Sequence, residues 1–127
     1  MVPLLAESAA HNFQMTDKIV ILTTCSNETE AEKLARLLVD RRLAACVSVI
    51  PRIRSYYRWQ GAVETAEECL LLVKTARALF EPLRAALLGT HSYEIPEVLA
   101  LPVVAGAMDY LNWMESSLEA AREPAGE

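Results

Sequence analysis

One long extended segment dominates the middle of the sequence and runs Leu43-Ala-Ala-Cys-Val-Ser-Val-Ile-Pro-Arg-Ile-Arg-Ser-Tyr-Tyr-Arg-Trp59. Its side chains alternate between two faces, and Pro51 interrupts the hydrogen-bond ladder because proline has no amide donor. Gln60-Gly61 then predicts a turn, and a further strand follows, centred on Cys69-Leu-Leu-Leu-Val-Lys-Thr75. The length of the first strand makes it a candidate arm for a neighbouring subunit, since strand addition uses exposed sheet edges.

A strand and a helix precede this segment. Lys18-Ile-Val-Ile-Leu-Thr-Thr24 is an apolar, β-branched run bounded by polar residues, which is typical of a buried strand. Asn27 is expected to cap the following helix, with Glu30 completing a capping box. The helix is expected to end near Arg41 and Arg42. Its apolar stripe consists of Ala31, Leu34, Ala35 and Leu38.

Three more elements follow the second central strand. The spacing predicts a helix over 78–88, with Pro82 in its first turn or so and Gly89 as its C′ residue. A fourth strand is predicted over 98–104, where Pro102 implies an edge or a strand end. Asp109 is expected to cap a last helix that carries four apolar residues on one side: Tyr110, Trp113, Met114 and Leu118.

The predicted order is β-α-β-β-α-β followed by a terminal helix. This order indicates an α+β fold of the ferredoxin-like kind, with an antiparallel sheet and both main helices on one face. The 127 residues suffice for one domain, which we expect over residues 17–120. Residues 1–16 are expected to form a flexible leader and residues 121–127 a disordered tail.

Composition narrows the class of protein. A hydrophobic content of 53 % suggests more apolar surface than one small monomer can hide, which favours an oligomer. The formal net charge of −5 argues against nucleic-acid binding. Arg52, Arg54 and Arg58 beside Tyr56 are interpreted as a solvated strand face, given this charge balance.

Three widely spaced cysteines, without a C-x-x-C pair, indicate neither a disulfide framework nor a zinc knuckle. Free cysteines suit a reducing compartment. The sequence shows neither a signal-peptide pattern nor a long uncharged apolar window, so we expect a cytoplasmic protein without a membrane partner.

Four strings together resemble signatures of the CutA family and occur in that family's order. They are Leu43-Ala-Ala-Cys-Val-Ser-Val-Ile-Pro51, Ser55-Tyr-Tyr-Arg-Trp-Gln-Gly61, His91-Ser-Tyr-Glu-Ile-Pro-Glu97 and Asp109-Tyr-Leu-Asn-Trp113. With Leu71-Leu-Val-Lys-Thr75, the resemblance spans about residues 18–118. It implies a homotrimer similar in shape to PII signalling proteins, with a role in tolerance of copper and other divalent cations. It supplies no catalytic mechanism, so we do not expect an enzyme.

Two positions depart from the family's pattern. Ser92 stands where the family often has proline after the histidine, and the loop that enters Tyr93 is therefore less constrained. Arg52 stands where glycine commonly follows the strand-ending proline, which can alter the local bend.

The resemblance also implies candidate site residues. Cys46 corresponds to a proposed metal ligand, and its soft thiolate suits Cu(I) or zinc, although a cysteine in an apolar strand is usually core packing. His91 with Glu94 could bind a borderline divalent ion, whereas the structural alternative is a histidine at the end of a helix. Seven further residues are assigned to a ligand pocket or subunit interface: Tyr57, Trp59, Lys74, Tyr93, Glu97, Tyr110 and Trp113.

Rival functions remain open at this point. A metal-responsive trimer leads, with copper or another divalent cation as ligand and a site between subunits. A PII-type small-ligand sensor would use residues 51–61 as its moving element. An enzyme would use His91 as acid or base and Lys74 as a charge anchor, but no motif supports a reaction class. An RNA-binding module lacks the expected aromatic string in its third strand.

Overall fold

A computed structural model describes residues 16–120. The predicted leader, apart from Thr16, and the predicted tail lie outside the described residues. The elements follow the predicted order with a short 3₁₀ turn added: β1 (Lys18–Cys25), α1 (Glu28–Asp40), β2 (Cys46–Trp59), β3 (Ala62–Ala76), the 3₁₀ turn (Arg77–Leu79), α2 (Phe80–Thr90), β4 (Leu99–Pro102) and α3 (Met108–Ser117).

The fold is α+β, with one four-stranded antiparallel sheet in the order β2-β3-β1-β4. The apolar run of β1 occupies the interior of the sheet, where it pairs with β3 from Lys18 opposite Ala76 to Cys25 opposite Cys69. β4 is shorter than predicted and forms an edge that ends at Pro102, as expected for a residue that cannot donate to the ladder.

β2 and β3 form a long hairpin, whose outer part we call the arm (residues 52–68). Gln60 (φ 52°) and Gly61 (φ 86°) are both left-handed, which is the geometry of a tight two-residue hairpin turn. The register shifts between Ile50 and Ile53, and Arg52 there has φ 59°. The interruption predicted at Pro51 is therefore confirmed as a β-bulge.

The start of α1 shows why local sequence specifies this helix. Asn27 Oδ1 accepts the Glu30 amide at 2.8 Å, as a cap should. The Glu30 carboxylate accepts the amide of Ser26 at 3.3 Å, one residue before the position that a standard capping box uses. Ala31, Leu34 and Leu38 are buried along the predicted stripe.

α2 ends differently from the prediction. Gly89 was expected to stop the helix as a left-handed residue, and this is wrong: Gly61 is the one glycine with positive φ in residues 16–120. The helix continues to Thr90, and the amide of its C-cap residue, His91, donates to the Leu87 carbonyl at 2.8 Å. His91 leaves the helix in an extended conformation because its ring is held elsewhere, as described below.

α3 begins without a side-chain cap. The prediction that Asp109 caps it is wrong, since the N-cap residue is Ala107 and Asp109 lies inside the first turn. A carboxylate there still interacts favourably with the helix dipole. Gly106 allows the close approach of Leu111, because an added Cβ would lie 3.0 Å from Leu111 Cδ2.

The predicted single apolar side of α3 divides in two. Met114 and Leu118 are buried, whereas Tyr110 and Trp113 remain 44 % and 45 % exposed. Tyr110 lies 5.9 Å below Lys74 Nζ and 5.4 Å from the Trp113 ring.

The two faces of the sheet differ. One face packs against α1 and α2, which contact each other, and its strand residues are buried: Ile19, Ile21, Cys25, Cys69, Leu71 and Val73. The strand residues that alternate with these point to the other side of the sheet, which we call the open face. There Leu22 pairs with Leu99 and Val20 with Leu101. Leu99 and Leu101 are exposed. Among residues 16–120, no helix is long and apolar enough to cross a membrane.

Candidate functional site

A cleft of about 660 Å³ opens between the arm and the segment that joins α2 to β4. The arm contributes aromatic side chains, and the joining segment contributes Tyr93 and acidic residues. Three glutamates line it, and its lining in the described part of the chain includes neither lysine nor arginine. We call it the acidic cleft, and it is lined by Thr24, Ser55, Tyr56, Tyr57, Trp59, Ala66, Glu68, Tyr93, Glu94, Ile95 and Glu97.

His91 lies behind the acidic cleft with its side chain fully buried. The Tyr93 amide donates to His91 Nδ1 at 3.0 Å, so Nδ1 acts as acceptor and the proton resides on Nε2. Nε2 then donates to the Thr24 carbonyl at 2.7 Å. Both ring nitrogens are occupied, and the neutral imidazole fixes the segment to the end of β1 in this conformation.

Tyr93 connects that segment to the sheet. Its ring lies 4.8 Å from the His91 ring, and its hydroxyl donates to Glu68 Oε2 at 2.6 Å. Burial, and then the hydrogen bond and charge of Glu68, raise the pKa of the Tyr93 phenol. The phenol therefore remains a hydrogen-bond donor throughout the physiological pH range.

Charge repulsion in the acidic cleft acts on Glu97. Glu68 is nearly buried, at 9 % exposure. Burial, followed by the nearby charge of Glu68, raises the pKa of Glu97. An arriving cation would relieve this repulsion, whereas an anion would increase it.

Glu30 holds the same segment from the other side, and we call these contacts the Glu30 latch. Its carboxylate accepts the Ser92 amide at 2.8 Å, the Ser92 hydroxyl at 2.9 Å and the Ser26 hydroxyl at 3.0 Å. Burial alone would raise the pKa of Glu30, but the bonds from Ser92 and Ser26 outweigh it and lower that pKa. The serine that departs from the family's proline thus supplies an amide that proline lacks.

The three predicted metal ligands do not meet within one copy of the chain. Cys46 pairs with Lys74 on β3, while the anchor of His91, Thr24, pairs with Leu70. Four residues along a strand separate these positions by roughly 13 Å. Within residues 16–120, no three His, Cys, Asp or Glu side chains are placed to share a metal ion. The ligand roles of Cys46, His91 and Glu94 stay predictions.

Comparison with known proteins identifies the family to which the chain belongs. Residues 19–117 match the family model described as CutA1 divalent ion tolerance protein. The chain belongs to the CutA1 family. The divalent-cation tolerance protein CutA of Thermus thermophilus is 43 % identical over 98 residues, which cover 77 % of this chain and 95 % of that protein.

Other relatives are longer. Human protein CutA is 42 % identical over 100 residues, and the match spans 79 % of this chain but 56 % of the human protein. Chloroplastic CutA of Arabidopsis thaliana is 42 % identical over 99 residues, which cover 78 % of this chain and 54 % of that relative. This chain therefore spans little more than half the length of these two proteins.

Solved structures agree with the family. The divalent cation tolerance protein Cut A1 of Thermus thermophilus superposes with a TM-score of 0.79 at 41 % identity, covering 80 % of this chain and 99 % of that one. CutA1 of Oryza sativa gives a TM-score of 0.81 at 37 % identity, with coverage of 83 % and 96 %.

The residues that were predicted to line a pocket or interface in this CutA1 family member form two groups. Tyr57, Trp59, Tyr93 and Glu97 line the acidic cleft, together with the predicted ligand Glu94. Lys74, Tyr110 and Trp113 form a separate group in which Lys74 lies over the Tyr110 ring.

Sequence reasoning missed Glu68 and the second role of Glu30. Glu68 lies within β3 and directly precedes its apolar run Cys69–Thr75, and a carboxylate at the start of such a run was the available signal. The sequence indicated Glu30 only as part of a helix cap. Its contacts with Ser92 span 62 residues of sequence, which no local pattern reports.

Proposed function

We propose that this chain is the subunit of a ferredoxin-like, PII-like homotrimer that serves in tolerance of divalent cations, copper among them, by binding them in the acidic cleft. The observation that carries the proposal is the charge of the cleft: Glu68, Glu94 and Glu97 line it without a lysine or arginine among its described lining residues. The relatives' names, which speak of divalent-cation tolerance, support the same reading.

The ligand chemistry favours a hard or borderline cation. Carboxylate oxygens suit such ions. One copy offers no ready-made cluster of three ligating side chains within residues 16–120, so a second copy would have to complete the coordination. Cys46 lies half-buried on β2, with its sulfur 3.9 Å from Ser48 Oγ. It could join a site only across a subunit boundary.

Exposed apolar side chains support association. Tyr56, Tyr57 and Trp59 on the arm are exposed, as are Leu99 and Leu101 on the edge strand. Large contiguous apolar patches on a protein surface mark interaction sites, and these exposed side chains are candidates for contacts between subunits. An arm that extends past its own sheet, and an edge strand with free backbone groups, suit a closed ring of identical subunits.

Cation titration tests the proposal. Glu94→Gln and Glu97→Gln should weaken the binding of Cu²⁺ or Zn²⁺ measured by calorimetry, because each removes a carboxylate from the cleft. Glu67→Gln is the matched control, since Glu67 is exposed, neighbours Glu68 and is absent from the cleft lining. Equal affinity in all three variants and the parent would remove the cleft as the site.

Cys46→Ser and His91→Ala test the ligands that the family resemblance implied. Unchanged copper affinity in both variants would exclude these two residues. His91→Ala also removes the anchor at Thr24, so its fold has to be checked by circular dichroism before its affinity is interpreted.

A small-ligand sensor is the second candidate, and the cleft volume favours it. About 660 Å³ lies within the range of pockets for small organic ligands, and the arm provides aromatic surface for stacking. A nucleotide or metabolite that raises the melting temperature where divalent cations do not would support this candidate. No enzymatic activity is proposed, and the cytoplasmic location stays a prediction.

A further inference from the structure

Two of the three cysteines lie directly opposite each other on neighbouring strands. Cys25 ends β1 and pairs with Cys69 in β3. Directly opposed residues of antiparallel strands project from the same face of the sheet. Both residues are buried, at 0 % and 2 % exposure, and both are free thiols. No local pattern indicated this pairing, because 43 residues separate the two cysteines along the chain.

The spacing of opposed strand residues is compatible with a disulfide. Their Cα atoms lie about 4.5–5.5 Å apart, within the roughly 4.4–6.8 Å that disulfides span. Their Cβ atoms, at about 4.5–5.5 Å, need only a small approach to reach the range of about 3.5–4.5 Å. The backbone register thus suits a disulfide, and Cys25 Sγ, which donates to the Asn27 carbonyl at 3.6 Å, would have to turn from that carbonyl toward Cys69 to form one.

The surroundings favour a neutral product over a charged one. Burial, and then the negative charges of Glu30 and of neighbouring groups that include Glu68, raise the pKa of the Cys25 thiol to about 12. A bis-thiolate metal complex would place negative charge in this environment, whereas a disulfide carries none. The same raised pKa makes Cys25 a weak nucleophile, so oxidation should be slow and should proceed when the buried pair is exposed by local opening.

We propose that Cys25 and Cys69 form a modification site at which a small peroxide oxidises the two thiols to an intramolecular disulfide. One sulfur attacks a peroxide oxygen, the O–O bond breaks, and a sulfenic acid and one water form. The other sulfur attacks the sulfenic sulfur, the S–O bond breaks, and a second water leaves. The two sulfurs give up two electrons, and one hydrogen peroxide is reduced to two waters.

The position of the disulfide connects it to the acidic cleft. Thr24, next to Cys25, accepts from His91, and Glu68, next to Cys69, accepts from Tyr93. Joining β1 to β3 here would tie together the two strands that anchor the cleft segment. Local opening of that segment should slow in the oxidised protein. Neither the disulfide nor this effect depends on cation binding.

Peptide mapping of a Cys46→Ser variant tests the proposal, since that variant keeps only the opposed pair. Trypsin places Cys25 in residues 19–33 and Cys69 in residues 59–74. After treatment with hydrogen peroxide, we expect one linked peptide whose mass is the sum of the two minus two hydrogen atoms. Dithiothreitol should restore the separate peptides. Cys25→Ser and Cys69→Ser in the same background should form no such product.

Two outcomes would overturn the proposal. In the first, both thiols of the treated, then unfolded protein still react fully with iodoacetamide. In the second, the cysteines oxidise separately to sulfinic acids without a linked peptide. Amide hydrogen exchange gives an independent readout, in which the Tyr93 amide should exchange more slowly after oxidation. An unchanged rate would overturn the link to the cleft segment.

Discussion

The carboxylate of Glu30 accepts both the backbone amide and the hydroxyl of Ser92, at 2.8 and 2.9 Å, across 62 residues of sequence. One side chain thereby supports the first turn of α1 and the loop that presents Tyr93 to the acidic cleft. The cleft is built on contacts of this kind rather than on the loop's own conformational preference. Its stability should therefore respond to substitutions on α1.

The Glu30 latch should be measurable in the free energy of unfolding. Glu30→Gln should destabilise the protein by about 1–3 kcal/mol, because it removes the charge and replaces one of the two acceptor oxygens by an NH₂ donor. Ser92→Ala removes one of these bonds and should cost about 1 kcal/mol. Urea unfolding followed by circular dichroism measures both. Glu28→Gln, at an exposed position in the same first turn, serves as control and should change stability by less than about 1 kcal/mol.

The Glu30 latch also predicts that the free energy of unfolding depends on pH. The folded state lowers the pKa of Glu30 below its ordinary value of 4.5, so its contribution is complete above pH 4.5 and is lost as the pH falls through the folded pKa. The difference in unfolding free energy between the parent and Glu30→Gln should therefore shrink in acid. A difference that stays constant from neutral pH to about pH 3 would contradict the assignment.

Two buried threonines provide a matched pair of substitutions. Thr23 Oγ1 has no hydrogen-bond partner within residues 16–120, whereas Thr75 Oγ1 donates to the Leu43 carbonyl at 2.6 Å. Thr23→Val should be neutral or stabilising, since it removes an unpaired buried hydroxyl. Thr75→Val should destabilise by about 1–3 kcal/mol because it leaves a buried carbonyl without its donor. If thermal unfolding shows the same change in stability for both variants, the predicted difference between the two hydroxyls is wrong.

The proposed trimer predicts a position-dependent effect of charge. Leu101→Glu places a carboxylate on the open sheet face and should shift the sedimenting species of the parent to a smaller one. Val39→Glu is the control, because Val39 is similarly exposed but lies on α1. Sedimentation velocity measures the size of the species that each variant forms, and Val39→Glu should sediment like the parent. If the parent itself sediments as a monomer at micromolar concentration, the proposed assembly is wrong.

Local interactions explain what could be predicted. The apolar run of β1, the Asn27 cap and the turn at Gln60-Gly61 each depend on residues a few positions apart. The two errors at helix ends have the opposite origin. α2 continues past Gly89 because the distant contact of His91 with Thr24 determines where the helix ends. Asp109 lies within the first turn of α3 rather than at its cap, because packing of Gly106 against Leu111 sets the entry of the chain.

The sequence by itself determined the order of the elements, the family and the set of polar residues from which a site could be made. Only the tertiary structure decided how those residues are used. It occupies both nitrogens of His91, places Glu68 against Tyr93 and sets Cys25 opposite Cys69. The physical reason is range: caps, turns and periodicity act between neighbours along the chain, whereas these partners meet only when separate strands and loops pack together.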